Sequence, residues 1–256
     1  MKIAISGKGG AGKTTISALL CRAIEAQGRE VIAVDADSNP NLACALGLPD
    51  AERITPLSEM RDLIREKTGS EKGGYGAWFK MNPDVSDIPE RFRHVSGKVQ
   101  LLVMGAITRG DSGCACPEYV LVKSLISYLL LNEDQDMVID MEAGLEHLGR
   151  GVTSKVDVLL IIAQPSRVDC LTASRVYRLA KDLGIKTILG VGNAIRSEED
   201  IDYLRRQVRD FDFAAFFPSS ESLRENERRG GSTCAVPAFA ERANKLVTDI
   251  AGRTNG

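Results

Sequence analysis

Short apolar, β-branched runs recur along the chain at Lys2–Ser6, Glu30–Val34, Gln100–Met104, Met137–Met141, Val158–Ala163, Thr187–Val191 and Phe213–Phe217. Their length and residue types predict strands. Between most of them lie segments long enough for helices, and helical patterns are found at Lys13–Ala26, Ser58–Thr68, Pro117–Leu131, Val168–Leu183, Glu198–Val208, Ser219–Arg228 and Pro237–Ala251. The last of these gathers Phe239, Ala240, Ala243, Leu246, Val247 and Ile250 on one face, as a helix packed on a sheet requires. Strands alternating with helices predict an α/β fold with a mostly parallel, twisted sheet of about 7–8 strands, flanked by helices on both faces. One stretch breaks the rhythm. Glu71–Gly97 is rich in Gly and Pro, holds the only tryptophan, Trp78, and follows neither period. It is read as an irregular insertion in a single domain spanning residues 1–256.

Composition adds limits to this picture. With 256 residues, 43% of them hydrophobic, the chain can bury a full core. The net charge of -2 comes from 33 basic and 35 acidic residues with no long single-sign run, which predicts no nucleic-acid partner and no membrane surface as partner. The chain enters its first strand and a glycine loop at once, and no apolar run of about 18 residues follows, so a cytoplasmic protein is expected. Six cysteines in that compartment are expected to stay reduced, as core packing, reactive thiols or metal ligands.

The chemistry is concentrated in Gly7-Lys8-Gly9-Gly10-Ala11-Gly12-Lys13-Thr14, which fits G-x-x-x-x-G-K-[ST] between a predicted strand and a predicted helix. Glycines let backbone N–H groups turn inward around phosphate oxygens, and the helix N-terminus adds partial positive charge. Lys13 is predicted to reach the β- and γ-phosphates, Thr14 to ligate Mg²⁺ through its hydroxyl, and Thr15 to join the same nucleotide site. A P-loop NTPase that binds ATP/ADP with Mg²⁺ is therefore expected. Asp35 and Asp37 end the second apolar run and Asp140 ends another, which a parallel sheet brings to the same rim as the loop. Taken alone, such residues are as often helix caps; beside a phosphate loop, metal and water positioning is the better account.

The extra lysine inside the loop, Lys8, resembles the signature of the deviant Walker A ATPases, a group that includes the nitrogenase iron protein, MinD and ParA. Within that group, the loop, Val34-Asp35-Ala36-Asp37, Thr55–Asp62, Gly113-Cys114-Ala115-Cys116-Pro117-Glu118 and Asp140–Leu148 together resemble the CooC-type nickel-insertion ATPases that mature carbon monoxide dehydrogenase. The resemblance implies an ATPase that forms a homodimer on binding ATP. Lys8 crosses to the partner subunit's phosphates, and Asp37 positions or activates the attacking water. Asp35 and Asp140 support Mg²⁺ through its waters, and Gly144 offers a backbone N–H to the γ-phosphate. Asn193 resembles the residue that reads adenine, although Ala194 follows where the family often has Lys.

Cys114 and Cys116 are weak evidence by spacing alone, because six scattered cysteines often place two of them two apart. Pro117 and Glu118 read as the first turn of a helix, which puts both thiols at a helix N-terminus where the dipole favours thiolate. Two thiolates cannot complete a site that wants about four ligands, and a two-fold dimer supplies the other two. Three readings stand here: an interfacial Cys₄ site for Ni²⁺ or Zn²⁺, a pair of unliganded thiols, and a local disulfide. Cys21, Cys44, Cys170 and Cys234 read as core or semi-buried packing, and His94 and His147 as structural or surface residues.

Two further functional classes remain open. A positioning ATPase like MinD or ParA calls for a membrane anchor or a basic stripe, and neither is evident. An ATP-driven reductase like the nitrogenase iron protein holds an Fe–S cluster with cysteines far apart in sequence, whereas these two are adjacent but one. For the metallochaperone reading, the client is carbon monoxide dehydrogenase or acetyl-CoA synthase.

Overall fold

The computed structural model describes residues 1–70, 78–105, 116–142, 153–229, 231–233 and 236–254. Eight strands form one sheet: β1 (Lys2–Gly7), β2 (Val31–Ala36), β3 (His94–Ser96), β4 (Val99–Val103), β5 (Asp136–Met141), β6 (Val158–Ala163), β7 (Ile188–Ile195) and β8 (Phe213–Pro218). Their order across the sheet is β3-β4-β2-β5-β1-β6-β7-β8. Every neighbouring pair is parallel except β3 with β4. The α/β class, the mostly parallel sheet and its size therefore agree with the sequence pattern.

The apolar runs are continuous because the central strands are covered twice. In β1, Ile3 and Ile5 enter one core while Ala4 enters the other. In β6, Val158, Leu160 and Ile162 face one side, and Leu159, Ile161 and Ala163 the other. The helices α1 (Lys13–Ala26), α2 (Leu42–Leu46) and α9 (Pro237–Thr254) pack on the first face. On the second lie α3 (Arg61–Thr68), α5 (Pro117–Asn132) and α6 (Arg167–Asp182), with α7 (Glu198–Gln207) contributing Leu204. The last helix buries Phe239, Ala243, Leu246, Val247 and Ile250, as its periodicity required.

Some elements differ from the sequence pattern. The helix expected from Ser58 begins at Arg61, because Leu57–Glu59 form a 3-10 turn and Met60 has a ψ of 81°. The stretch 71–97, read as irregular, carries among its described residues α4 (Ile88–Phe92) and the edge strand β3. Both are too short for a hydrophobic period to register. Ile88 is fully buried, and an ion-pair network of Lys67 and Arg91 with Asp87 and Glu66 fastens α4 to α3. α8 (Glu221–Arg228) completes the set.

Candidate functional site: a phosphate loop beside paired carboxylates

The loop leaves the carboxyl end of β1, the central strand of the sheet, and ends at the N-terminus of α1. Two glycines in it are sterically compulsory. A Cβ on Gly7 would stand 2.4 Å from the Ile162 carbonyl oxygen in β6. Gly12 has a φ of 98°, and a Cβ there would lie 2.1 Å from Asn193 Nδ2. Gly10 also has a left-handed φ, of 77°, while Gly9 and Gly10 have open space where a ligand needs backbone access. Ala11 N–H donates to the Lys8 carbonyl at 3.1 Å, closing the turn. No side chain caps α1, so the N-terminal amides of the helix are left for an anion.

Lys13 is buried, and its Nζ lies 3.9 Å from Asp37 Oδ2. Behind it stand two carboxylates in register: Asp35 of β2 pairs with Asp140 of β5, which also pairs with Ile5 of β1. Both are fully buried. Asp35 Oδ2 accepts from Leu42 N at 2.8 Å, and Oδ1 from Asp37 N at 3.3 Å. Burial pushes the Asp35 carboxyl up to about 6, against the help of those amides. Asp140 has neither oxygen in a hydrogen bond of normal geometry. Burial, with repulsion from Asp35, pushes it up to about 7, although the Thr14 hydroxyl and Lys13 are near enough to favour its charged form. An orphaned, buried carboxylate beside a second one fits the chemistry of a hydrated divalent cation, which restores the missing partners.

Several contributors escaped the sequence pattern. Asp169, at the start of α6, is 5% exposed and lies 3.6 Å from Lys8 Nζ, so the signature lysine is paired within its own chain. Ser166 caps α6 by accepting from Asp169 N at 3.2 Å, and its hydroxyl donates to Asp169 Oδ2 at 2.5 Å. The adjacent Gln164 donates from Nε2 to the Gly10 carbonyl at 3.0 Å. Gln164 and Ser166 lie just past β6, and a residue at the end of a parallel strand is the signal that points to them; Asp169 follows in the first turn of α6. Asn193 donates from Nδ2 to the Ala11 carbonyl at 2.9 Å, and Ala194 beside it has a left-handed φ of 56°. Asn193 therefore buttresses the loop as it stands. Thr14 and Thr15 border a cavity of about 610 Å³ that continues along α2 past Cys44 to Arg53 and Thr233.

Cys116 caps α5: its Sγ accepts from Tyr119 N at 3.4 Å, and Pro117 opens the helix. The predicted helix terminus is present, but the thiolate-favouring environment is not. Burial pushes the Cys116 thiol up, and Glu118 adds to it, outweighing the amide of Tyr119. Cys114, Gly144, His147 and Cys234 lie outside the described residues. Among the described residues, no group of three or more His, Cys, Asp or Glu side chains is arranged to hold a metal ion. Cys21 and Cys170 are buried as expected, whereas Cys44 is exposed, because it sits on the outward side of the single-turn helix α2. His94 is half-buried in β3. No described helix is long and apolar enough to cross a membrane.

Comparison with known proteins adds to this geometry. Residues 2–230 match the model of the CobQ/CobB/MinD/ParA nucleotide binding domain. The chain is 40% identical to the carbon monoxide dehydrogenase accessory protein CooC of Rhodospirillum rubrum over 257 aligned positions, covering 99% of this chain and 97% of that protein. It is 42% identical over 233 positions to an uncharacterized ATP-binding protein of Methanocaldococcus jannaschii, covering 90% of each. Among solved structures, the septum site-determining protein MinD of Pyrococcus horikoshii, complexed with Mg-ADP, superposes with a TM-score of 0.66 at 22% identity, over 99% of this chain and 98% of that one.

Proposed function

The chain belongs to the CobQ/CobB/MinD/ParA nucleotide-binding family and is an ATPase of the CooC type within it, and from that premise we propose that it is a nucleotide-dependent, homodimeric, cytoplasmic metallochaperone for a nickel enzyme. The observation that carries this reading is the 40% identity, along 99% of the chain, to an accessory protein of carbon monoxide dehydrogenase. The client is that enzyme or acetyl-CoA synthase. The cargo is Ni²⁺, with Zn²⁺ as its competitor, held by Cys114 and Cys116 of each protomer at the dyad.

In the hydrolytic site, loop amides from Gly7 to Gly12 cradle the phosphates, Thr15 continues that cradle, and Lys13 neutralises the β- and γ-oxygens. Thr14 would ligate Mg²⁺ and Asp35 and Asp140 would support it through its waters; the ion when bound would draw charge from the phosphate oxygens. Asp37 aligns a water against the γ-phosphorus; the bond to the β–γ bridging oxygen breaks, and ADP and phosphate leave. Gly144 donates its N–H to the γ-phosphate, and Asn193 stands toward the base. Lys8 exchanges Asp169 for the phosphates of the partner subunit, which ties hydrolysis to dimerisation. Any movement of the two protomers then moves four sulfurs together, and nucleotide state governs the grip on the metal.

The test is metal stoichiometry with and without ATP, for the native chain and for Cys114→Ala/Cys116→Ala. Half a Ni²⁺ per chain, absent from the double variant, is the expected result. A tight ion on each monomer that survives the double change refutes the bridging site.

A further inference from the structure

We propose that Glu142 is a positioning residue for hydrolysis, fixing the Asp37–Ser38 peptide against the end of β5 so that the Asp37 carboxylate stands at the phosphates. The inference rests on the assignment of Asp37 as the water-aligning group.

Asp37 lies just past the end of β2, where the chain leaves the sheet for α2. Its hydrogen bonds are local: Oδ1 accepts from Asn39 N at 2.9 Å, and its N–H reaches Asp35 Oδ1 at 3.3 Å, while the Lys13 ammonium 3.9 Å from Oδ2 meets the carboxylate and not the peptide that follows it. Ser38 and Asn39 are exposed, so burial does not hold this turn. Glu142 does. The Ser38 N–H donates to Glu142 Oε1 at 3.1 Å, and the Ser38 hydroxyl donates to the same oxygen. Glu142 is itself anchored through its carbonyl, which accepts from Ser6 Oγ at 3.0 Å, one residue before the phosphate loop. One residue thus joins three segments that meet only in the folded sheet: its carbonyl, at the end of β5, holds the end of β1, and its side chain holds the exit of β2.

The contact acts on the chemistry through geometry. Asp37 is the first residue past a rigid strand, and freeing the peptide that follows it returns rotational freedom to the group that must meet a water and a phosphorus in line. Both donors engage Oε1, so the side chain serves Ser38 as an acceptor; a role for its charge instead is what the amide variant distinguishes. An amide oxygen in the same place accepts the same two hydrogen bonds, which separates positioning from charge.

The test is steady-state ATP hydrolysis by the full chain, with ADP affinity and melting temperature as controls, for Glu142→Ala, Glu142→Gln, Ser38→Ala and the double variant Ser38→Ala/Glu142→Ala. Glu142→Ala is expected to lower kcat about tenfold or more while KM for ATP stays within about threefold. Glu142→Gln is expected to return kcat to within about threefold of the native value, and Ser38→Ala to add little to Glu142→Ala, because the hydroxyl bond it removes is already lost with Glu142. Glu142→Gln as slow as Glu142→Ala overturns the proposal in favour of a role for the charge. Native kcat in Glu142→Ala overturns it outright. Asp37→Ala run alongside keeps the premise separate: native turnover there removes Asp37 from the chemistry whatever Glu142 does.

Discussion

Replacing Asp140 by asparagine should make the nucleotide-free protein more stable, and increasingly so as pH rises. The Asp140 carboxyl is fully buried, has neither oxygen in a hydrogen bond of normal geometry and is pushed up to about 7, against an ordinary value of 3.8. Between those two values the folded chain keeps a proton that the unfolded chain has released. Stability from this group is therefore whole at the acid end of that window and is lost as pH rises through it. The separation is about 3 pH units, and at about 1.4 kcal/mol each it sets a ceiling of about 4 kcal/mol on the loss. The side chain introduced by Asp140→Asn has the same shape and no charge, so it escapes this loss. Its pH-independent effect is expected to be small, since the amide occupies the carboxyl's place in register with Asp35. The gap between variant and native chain should widen by about 2–3 kcal/mol from pH 5 to pH 7 and then level off. Urea unfolding at several pH values, in chelator and without nucleotide, measures the gap from the midpoints at constant m. Added Mg²⁺ with ADP should narrow it at pH 8, by supplying the charge that only the native carboxylate can use. A gap that stays constant, or shrinks as pH rises, refutes the argument and means that Asp140 is charged and satisfied in the empty protein.

Two further outcomes follow from the loop and its supports. Gly12→Ala forces a left-handed φ on alanine and drives Asn193 off the Ala11 carbonyl, for a total of about 2–4 kcal/mol in urea unfolding; in an Asn193→Ala background only about 1–2 kcal/mol of backbone cost should remain. Ser166→Ala removes the cap of α6 and the hydroxyl that steadies Asp169, and should cost about 1–2 kcal/mol by the same measurement. A loss below about 0.5 kcal/mol would mean that the cap contributes nothing, since the Lys8–Asp169 ion pair is half-exposed on the lysine side and worth little to stability.

How far the site was legible depended on whether its parts are neighbours in sequence. The phosphate loop, Lys13 and Thr14 form one contiguous strand-loop-helix unit, and their spacing alone carries the chemistry. Asp35, Asp37 and Asp140 were visible as carboxylates that a parallel sheet brings to the rim of the loop, but the residue-by-residue register of Asp35 with Asp140 was not. Asp35 and Asp140 are 105 residues apart, and their adjacency follows from β2 and β5 being neighbours in register. Lys8 with Asp169, Ser38 with Glu142 and Asn193 with Ala11 are likewise contacts across strands. The helix position of Cys116 was readable from Pro117, whereas the upward push on its thiol was not, because burial by other elements outweighs a local amide.

By itself the chain determined its strand and helix periods, and hence a doubly covered parallel sheet, together with a loop whose glycine spacing and Lys13 fit a phosphate site. Tertiary structure alone decided which carboxylate lies beside which, which anion the Lys8 ammonium meets, and which side chain holds Asp37 in place. The division has a physical cause. Backbone conformation and hydrophobic period are properties of a few consecutive residues, while burial, strand order and the electrostatics they create are properties of the closed sheet.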